Sequence, residues 1–331
     1  MFIETLRKPK APNPLGHLVR EITMLSSMDL NELAPLPRLC PFVVEFNDRD
    51  LWCPQLSAFL QQWKYLTKSS PFRFLYSYQV PPKDSLGKEL TILEVHTKVH
   101  AGFTILVTRF PSIEKLHITN MDMARSAIFL DELEVLHKAL PNLWFLSLFD
   151  VAFTGIIPEY ITPCDTVRDL HLVPKFCSLW GQYCARKYSG LEKLKLSLRA
   201  ADDTDTNSEA LTLMRSCRRL KWFEFNCSDP GSINLYQQIL EILQEIRAPV
   251  EMLQFGYYDA PLYVKAMNDF QGTLSNVRLY NLRDVIVEEL VEQLRACLFL
   301  VELHMRVSKA KLPLDYVLYN YNLLERRAGT K

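Results

Sequence analysis

Apolar residues recur along this chain in a six-residue pattern, apolar-x-x-apolar-x-apolar, in which most x positions are polar. The clearest copies begin at Ile113, Leu143, Val167 and Leu191. One residue separates the last two apolar positions of each copy, and this alternation predicts a short β-strand with one buried face. Further copies begin at residues 90, 220, 250, 274 and 300, and weaker copies begin at 19 and 43.

The spacing of these copies predicts a repeat architecture. From Leu90 to Leu300, consecutive copies start 23 to 30 residues apart, which is a period typical of solenoid repeats. The copies at Val43 and Leu90 are 47 residues apart. That interval leaves room for one more unit, which we place near Trp63 to Leu66.

The segments between the predicted strands carry apolar residues at helical spacing. Pro111, Pro141 and Pro249 lie just before strand starts, where proline ends a preceding helix. The predicted helices cover residues 124–140, 208–218, 233–247, 262–270 and 285–297. Since one strand and one helix cannot bury their apolar faces alone, the units are expected to stack into an α/β solenoid. Its curved parallel sheet would line the concave side and its helices the convex side.

Four strands have similar lead-in segments: Cys40-Pro-Phe-Val43, Pro141-Asn-Leu143, Cys217-Arg-Arg-Leu220 and Cys297-Leu-Phe-Leu300. On these segments the chain resembles the leucine-rich-repeat domains of F-box proteins, especially the irregular, cysteine-containing kind common in fungi. The resemblance implies a leucine-rich-repeat solenoid with irregular repeats over residues 19–306. An N-terminal extension would precede it at 1–18, and a C-terminal cap and tail would follow at 307–331.

The resemblance also implies a function, which is non-enzymatic protein binding, with substrate recognition for a ubiquitin ligase. An F-box is a helical module longer than the 18 residues before Val19, so we expect no complete F-box in this chain. Ubiquitin-ligase components are expected partners only if an F-box lies outside it. The alternative is a free-standing leucine-rich-repeat scaffold or inhibitor unrelated to ubiquitin.

Two positions bear on the regularity of the repeats. Regular leucine-rich repeats carry Asn or Cys just after the strand, where the side chain bonds the backbone of the turn. Asn120 and Cys227 lie near that place, one residue early, and most units have neither. We therefore expect irregular repeats.

Composition and charge exclude several classes of partner. The 38 basic residues balance the 38 acidic residues, so no net charge favours nucleic acid or an anionic membrane. No apolar run approaches the roughly 18 residues that a transmembrane helix needs, and no apolar secretory segment follows Met1. The eight cysteines have no paired spacing, which favours reduced thiols and a cytoplasmic or nuclear location.

The candidate chemistry is weak. In the predicted strands Ser147 lies between His117 and His171, with Asp169 near the second histidine, an order that resembles a nucleophilic triad. A solvated polar ladder is the interpretation we favour, because an open sheet excludes no water and supplies no oxyanion hole. The cysteine spacings match no structural zinc site, and no glycine-rich phosphate loop occurs. We expect no catalytic site, no metal and no cofactor.

The predicted concave surface is therefore the candidate binding site for a protein partner. Exposed aromatic and arginine side chains are typical of binding hot spots. Trp222 is the expected anchor, with Lys193 and Met252 beside it; the alternative is that Trp222 packs under the lysine stem and a loop. The residues predicted to bind protein on this face are Lys115, Phe145, Phe149, Lys193, Trp222, Met252, Arg278, Tyr280 and Arg306.

Overall fold

A computed structural model gives the fold of the protein. It describes residues 15–24, 33–48, 62–74, 91–97, 104, 107–108, 110–120, 127–175, 179–198, 204–227, 233–255, 260–282 and 302–307. The chain divides into two compact units, unit 1 (Met1–Val167) and unit 2 (Arg168–Lys331). The predicted helix at 285–297 and the cap and tail beyond Val307 lie outside the described residues.

Unit 1 is built on parallel strands, with one short turn of 3-10 helix at Leu15–Leu18. Its main sheet has the strand order β1-β2-β3-β4-β5-β7, and β6 pairs with β7 in a separate small sheet. The strands are β1 (Glu21–Met24), β2 (Glu45–Asp48), β3 (Lys68–Phe74), β4 (Ile92–Thr97), β5 (Lys115–Asn120), β6 (Ala127–Phe129) and β7 (Phe145–Thr154), and the helices are α1 (Leu36–Leu39) and α2 (Leu130–Ala139).

Unit 2 alternates strand and helix more regularly. Its sheet has the order β8-β9-β10-β11-β12-β13, and every pairing given for these strands is parallel. The strands are β8 (Asp169–Pro174), β9 (Lys193–Leu198), β10 (Trp222–Cys227), β11 (Met252–Phe255), β12 (Asn276–Leu282) and β13 (Glu302–Val307), and the helices are α3 (Trp180–Lys187), α4 (Thr204–Ser216), α5 (Ile233–Glu245) and α6 (Ala260–Asp269). The predicted α/β class is confirmed, with parallel strands at the predicted positions.

The apolar positions of the repeat form the core in register. Within unit 2, the middle apolar residues of five neighbouring strands lie opposite one another and are fully buried: Leu170, Leu194, Phe223, Leu253 and Val277. Alternate residues of β8, β9 and β10 are buried and less buried in turn, so each of these strands has one core face. The other face, which carries the intervening residues, is called the open face below.

A further strand lies between Val43 and Leu90, as predicted, but it is β3 (Lys68–Phe74) and not the segment from Trp63 to Leu66. Its sequence explains why the pattern is faint there. In the sheet, Ser69 of β3 lies between Phe46 of β2 and Leu93 of β4. A serine thus stands where the other units have a large apolar residue, and a register shift follows between Ser69 and Phe72. Backbone pairing maintains the repeat at a position where the hydrophobic signal is lost.

Two predicted helix starts are wrong. The helix predicted from residue 124 begins at Leu130, because residues 127–129 form β6 against the distal half of β7. The helix predicted from Ser208 begins four residues earlier, at Thr204. Ser208 and Asn207 therefore lie within α4 and do not cap it.

Side-chain hydrogen bonds to the backbone occur at strand ends in both units. The buried Asn120 amide donates from Nδ2 to the Asp150 carbonyl at 3.1 Å. In unit 2 the side chain that bonds the strand end is a tyrosine of the following helix. Tyr236 Oη accepts from the Cys227 N–H at 3.1 Å. Tyr263 Oη accepts from the Phe255 N–H at 3.1 Å. The tyrosines fasten α5 and α6 to the strands that precede them.

Helix α3 packs tightly against α4 through a glycine. The buried Glu209 carboxylate of α4 accepts through Oε2 from the N–H groups of Gly181 at 2.7 Å and Gln182 at 3.0 Å. This contact caps the N-terminus of α3 with a negative charge. A Cβ on Gly181 would lie 2.0 Å from the Glu209 carbonyl oxygen, so only glycine permits this approach.

We expect Leu194→Asp to lower the free energy of unfolding by at least ~3 kcal/mol, since it buries a carboxylate without a partner. Leu194 is 1% exposed between Leu170 and Phe223. Urea unfolding measures the effect, and the control Leu194→Met should cost less than about 1.5 kcal/mol. An unchanged unfolding midpoint in Leu194→Asp would show that Leu194 does not belong to the core.

Gly181→Ala is expected to destabilise the protein by roughly 1–3 kcal/mol, because the α4 backbone must move to admit the methyl group. Gly272→Ala is a matched control, since a Cβ there meets nothing within 4 Å, and it should change stability by less than about 0.5 kcal/mol. Thermal unfolding of both variants checks this. Equal shifts for the two would contradict the close helix contact.

Candidate functional site

The open face of unit 2 carries an aromatic side chain between two cations. Trp222 of β10 is half-buried, and the sheet places it directly opposite Lys193 of β9 and Met252 of β11. The Lys193 Nζ lies 4.8 Å from the centre of the Trp222 ring, and the Arg278 Cζ of β12 lies 5.2 Å from it. We call Lys193, Trp222 and Arg278 the Trp222 patch. The predicted neighbours of Trp222 are confirmed, and the predicted role of the patch in binding stays a prediction.

The geometry of the patch explains why Met252 is buried. Strand β11 lies between β10 and β12, so Trp222 and Arg278 can contact each other only across β11. Their side chains meet above this strand, and Met252 is 3% exposed. The expectation that Met252 is exposed on this face is therefore wrong.

Gln254 of β11 is also covered. It lies opposite Arg278 in the register and is 8% exposed. Among the described residues, the Gln254 Oε1 and the Arg278 Nε have no hydrogen-bond partner. Buried polar atoms are normally paired. Within the described part of the chain, one acceptor and one donor beside the Trp222 patch are thus unsatisfied.

Two residues further along these strands, the same face carries a polar network. Lys195 Nζ lies 2.7 Å from Glu224 Oε1, and Asn226 donates from Nδ2 to the same carboxylate oxygen at 3.1 Å. On β8, His171 Nε2 lies 3.2 Å from Asp169 Oδ1. The Lys195–Glu224 pair is therefore neutral as a unit.

The residues considered as a triad are distributed over both units. Ser147 belongs to unit 1 and lies opposite His117 in the sheet, while His171 and its partner Asp169 belong to unit 2. The His117 ring packs against the Phe145 ring, with centroids 4.5 Å apart. The His117 imidazole is therefore in contact with an aromatic ring. The absence of catalysis stays a prediction.

Unit 1 has a second group of aromatic and cationic side chains. Lys115 Nζ lies 4.6 Å from the centre of the Trp144 ring. Phe149 is 44% exposed, as expected. Phe145 is 7% exposed, so its predicted exposure is wrong. The reason is that the His117 and Trp144 rings flank it, the latter 6.2 Å away.

Two further predicted residues cannot be placed by side chain. Tyr280 and Arg306 pair with each other in the register of β12 and β13, and their side chains lie outside the described ones. Sequence reasoning also missed Trp144 and the Lys195–Glu224 pair. Trp144 could have been found, because it precedes the strand position that faces Lys115. The repeat places Lys195 and Glu224 at equivalent positions of neighbouring strands, so their opposite charges could have predicted the pair.

Cysteine and metal chemistry are not prominent in the described part of the chain. Cys40, Cys184, Cys217 and Cys227 are buried thiols, and Cys164 is half-buried. The predicted core position of Cys217 is confirmed, while Cys297 lies outside the described residues. Burial raises the pKa of the Cys217 thiol to about 12. No group of three or more metal-ligating side chains is close enough to hold an ion within the described ranges. None of the helices described there is long and apolar enough to cross a membrane.

Comparison with known proteins assigns no family. No family model and no curated protein matches the chain. Among solved structures, it is similar to a chain in the crystal structure of the TLR13–ssRNA13 complex, with 13% identity and a TM-score of 0.43. The match covers 82% of this chain and 40% of that chain, so the present chain spans less than half of its length. A likeness at this level carries no functional argument.

We expect Cys217 to react with iodoacetamide far more slowly than Cys164 at pH 8, because the thiolate is the nucleophile. Mass spectrometry of digests from natively labelled protein measures the two rates. Folding raises the pKa of the Cys217 thiol from 9.0 to about 12. Burial of the neutral thiol therefore contributes its full stabilisation below pH 9, and this contribution declines as the pH rises toward 12. Equal labelling of both cysteines would refute the burial of Cys217.

Proposed function

We propose that this chain is a non-enzymatic leucine-rich-repeat domain that binds a protein partner through the open face carrying the Trp222 patch. The observation that supports it most directly is Trp222 itself, a half-buried tryptophan on the open face, with a cation from each side over its ring. Tryptophan and arginine dominate the energetic centres of protein interfaces. The proposed role needs no cofactor.

Pre-organisation is the physical reason for favouring this face. Cation–π contacts are worth about 0.5–1 kcal/mol each at exposed sites, and two of them restrict the Trp222 rotamer before any partner arrives. A side chain that is already ordered loses less conformational entropy on binding. The neighbouring Lys195–Glu224 pair supplies a polar border, as binding sites have around an aromatic anchor.

The leucine-rich-repeat solenoid is part of the same proposal. Its support is the apolar register within each unit, together with the Asn120 side chain at the end of β5, which is bonded to the Asp150 backbone carbonyl in β7. The strand positions recur at the period that the sequence predicts.

Limited proteolysis tests the solenoid. Stacked repeats share one continuous core, so cleavage is expected to proceed without a stable intermediate of half the chain. Two compact halves that remain folded after separation would contradict a single solenoid. Circular dichroism of isolated fragments is the measurement that decides.

As the finer function we propose substrate recognition in an F-box-type adaptor of a ubiquitin ligase, which requires a cytoplasmic or nuclear location. Its support is the resemblance of the strand lead-ins, among which Cys217 is buried at the end of α4. Affinity purification of the full gene product, followed by mass spectrometry, should recover ubiquitin-ligase subunits. Recovery of other stable partners without them would favour a free-standing scaffold or inhibitor.

Trp222→Ala is expected to weaken binding of the partner recovered with the wild-type chain by about 2 kcal/mol or more. Unfolding free energy should fall by a smaller amount, about 1–2 kcal/mol, because two cation–π contacts of about 0.5–1 kcal/mol each are lost. Calorimetric titration and thermal unfolding measure the two effects. Val135→Ala, at an exposed position of α2, is the control and should change neither.

The opposite result would identify Trp222 as structural. If the melting temperature falls by several degrees while partner binding is untouched, the aromatic ring serves the sheet and the binding assignment is wrong. A result of that kind would leave the fold unaffected, because Trp222 lies on the face opposite the core residues Phe223 and Phe225.

A further inference from the structure

We propose that the Trp222 patch binds an acidic peptide segment of its partner, with carboxylates of that segment engaging Lys193 and Arg278. The inference rests on the proposed protein-binding function and specifies the chemistry of the partner. It follows from how charge is distributed over the open face of unit 2.

The patch carries two cations for which the described side chains supply no ion pair. On the same face, Lys195 is paired with Glu224. Asp169, which lies opposite Lys193 in the register, is 3.2 Å from His171. At the strand lead-ins, Arg168 lies 3.5 Å from Glu192 and Lys221 lies 3.7 Å from Glu251. Among the described side chains, the contact given for Lys193 and for Arg278 is the Trp222 ring. Two cations therefore lie about 5 Å from one ring centre, and the described side chains form no ion pair with either of them.

Arg278 shows which ligand group would complete the site. A guanidinium has five N–H donors and binds carboxylates through two parallel hydrogen bonds. The Arg278 Nε is buried without a partner in the described part of the chain. A carboxylate bound through the two terminal nitrogens would form such a pair without access to the buried Nε. Lys193 is exposed at the other side of the ring and can bind a second carboxylate as a point charge.

The same arrangement favours a peptide over a nucleic acid. Proteins that bind single strands stack bases on open aromatic faces, whereas the Trp222 ring already has Lys193 and Arg278 over it. The chain as a whole also has no net charge to attract a polyanion.

Selection from a random library of dodecapeptides on the purified full chain tests the proposal. Retained peptides are expected to be enriched in Asp and Glu, and their affinity should fall at least tenfold when NaCl rises from about 50 to 500 mM. The double variant Lys193→Glu/Arg278→Glu should lose these peptides. The control Lys138→Glu/Arg215→Glu makes the same charge change at exposed helix positions and should retain them.

Folding of the variants is checked by circular dichroism and melting temperature. If the charge reversal fails to fold, Lys193→Gln and Arg278→Gln remove the same charges with smaller changes, and each is expected to weaken binding about tenfold. Arg278→Lys keeps the charge but loses the paired hydrogen bonds, so it should fall between Arg278→Gln and the wild-type chain.

Three results would overturn the proposal: no acidic enrichment among retained peptides, no retained peptide at all, or unchanged affinity after charge reversal. Displacement of the peptides by a single-stranded RNA of equal length at lower concentration would also overturn it and assign the face to nucleic acid. Trp222→Ala separates the two levels of inference. Non-acidic peptides that still require Trp222 would leave the protein-binding function standing, and peptides indifferent to Trp222 would remove that function as well.

Discussion

The register of apolar side chains across parallel strands is the constraint on which the rest of the structure depends. In unit 2 each large apolar residue lies opposite the equivalent residue of the next strand, as Leu194 lies opposite Phe223. A shift of one residue would turn every buried side chain outward. The apolar residues cannot shift register without becoming exposed. Their register therefore also determines the positions of the intervening residues, so Trp222 must lie beside Lys193.

The Trp222 patch shows how a repeat can assemble a site from distant parts of the chain. Its three residues come from three strands, and Arg278 is 56 residues from Trp222 in the sequence. The short strand β11 lies between them and carries side chains that the larger neighbours cover. A medium-sized residue at position 252 thus permits two long side chains to meet above it. The geometry of the patch therefore depends on the size of a residue outside it.

The fold was predictable from the sequence where periodicity carries the information. Strands containing Leu116, Leu194 and Phe223 lie where the six-residue pattern places them, because alternation has one consistent solution when one face is buried. Helix starts were less predictable. The segment before Leu130 pairs with β7, and Glu209 caps a neighbouring helix, and both choices depend on partners far away in the sequence.

The sequence by itself determined the class of fold, the strand positions and the side of the sheet on which Lys193, Trp222 and Arg278 lie. These properties follow from local periodicity, which each segment carries alone. Only the tertiary structure decided which of these side chains stay accessible: Phe145 and Met252 have the same alternation as Trp222 and are buried. Exposure depends on the size and reach of neighbours on adjacent strands, and no single strand contains that information.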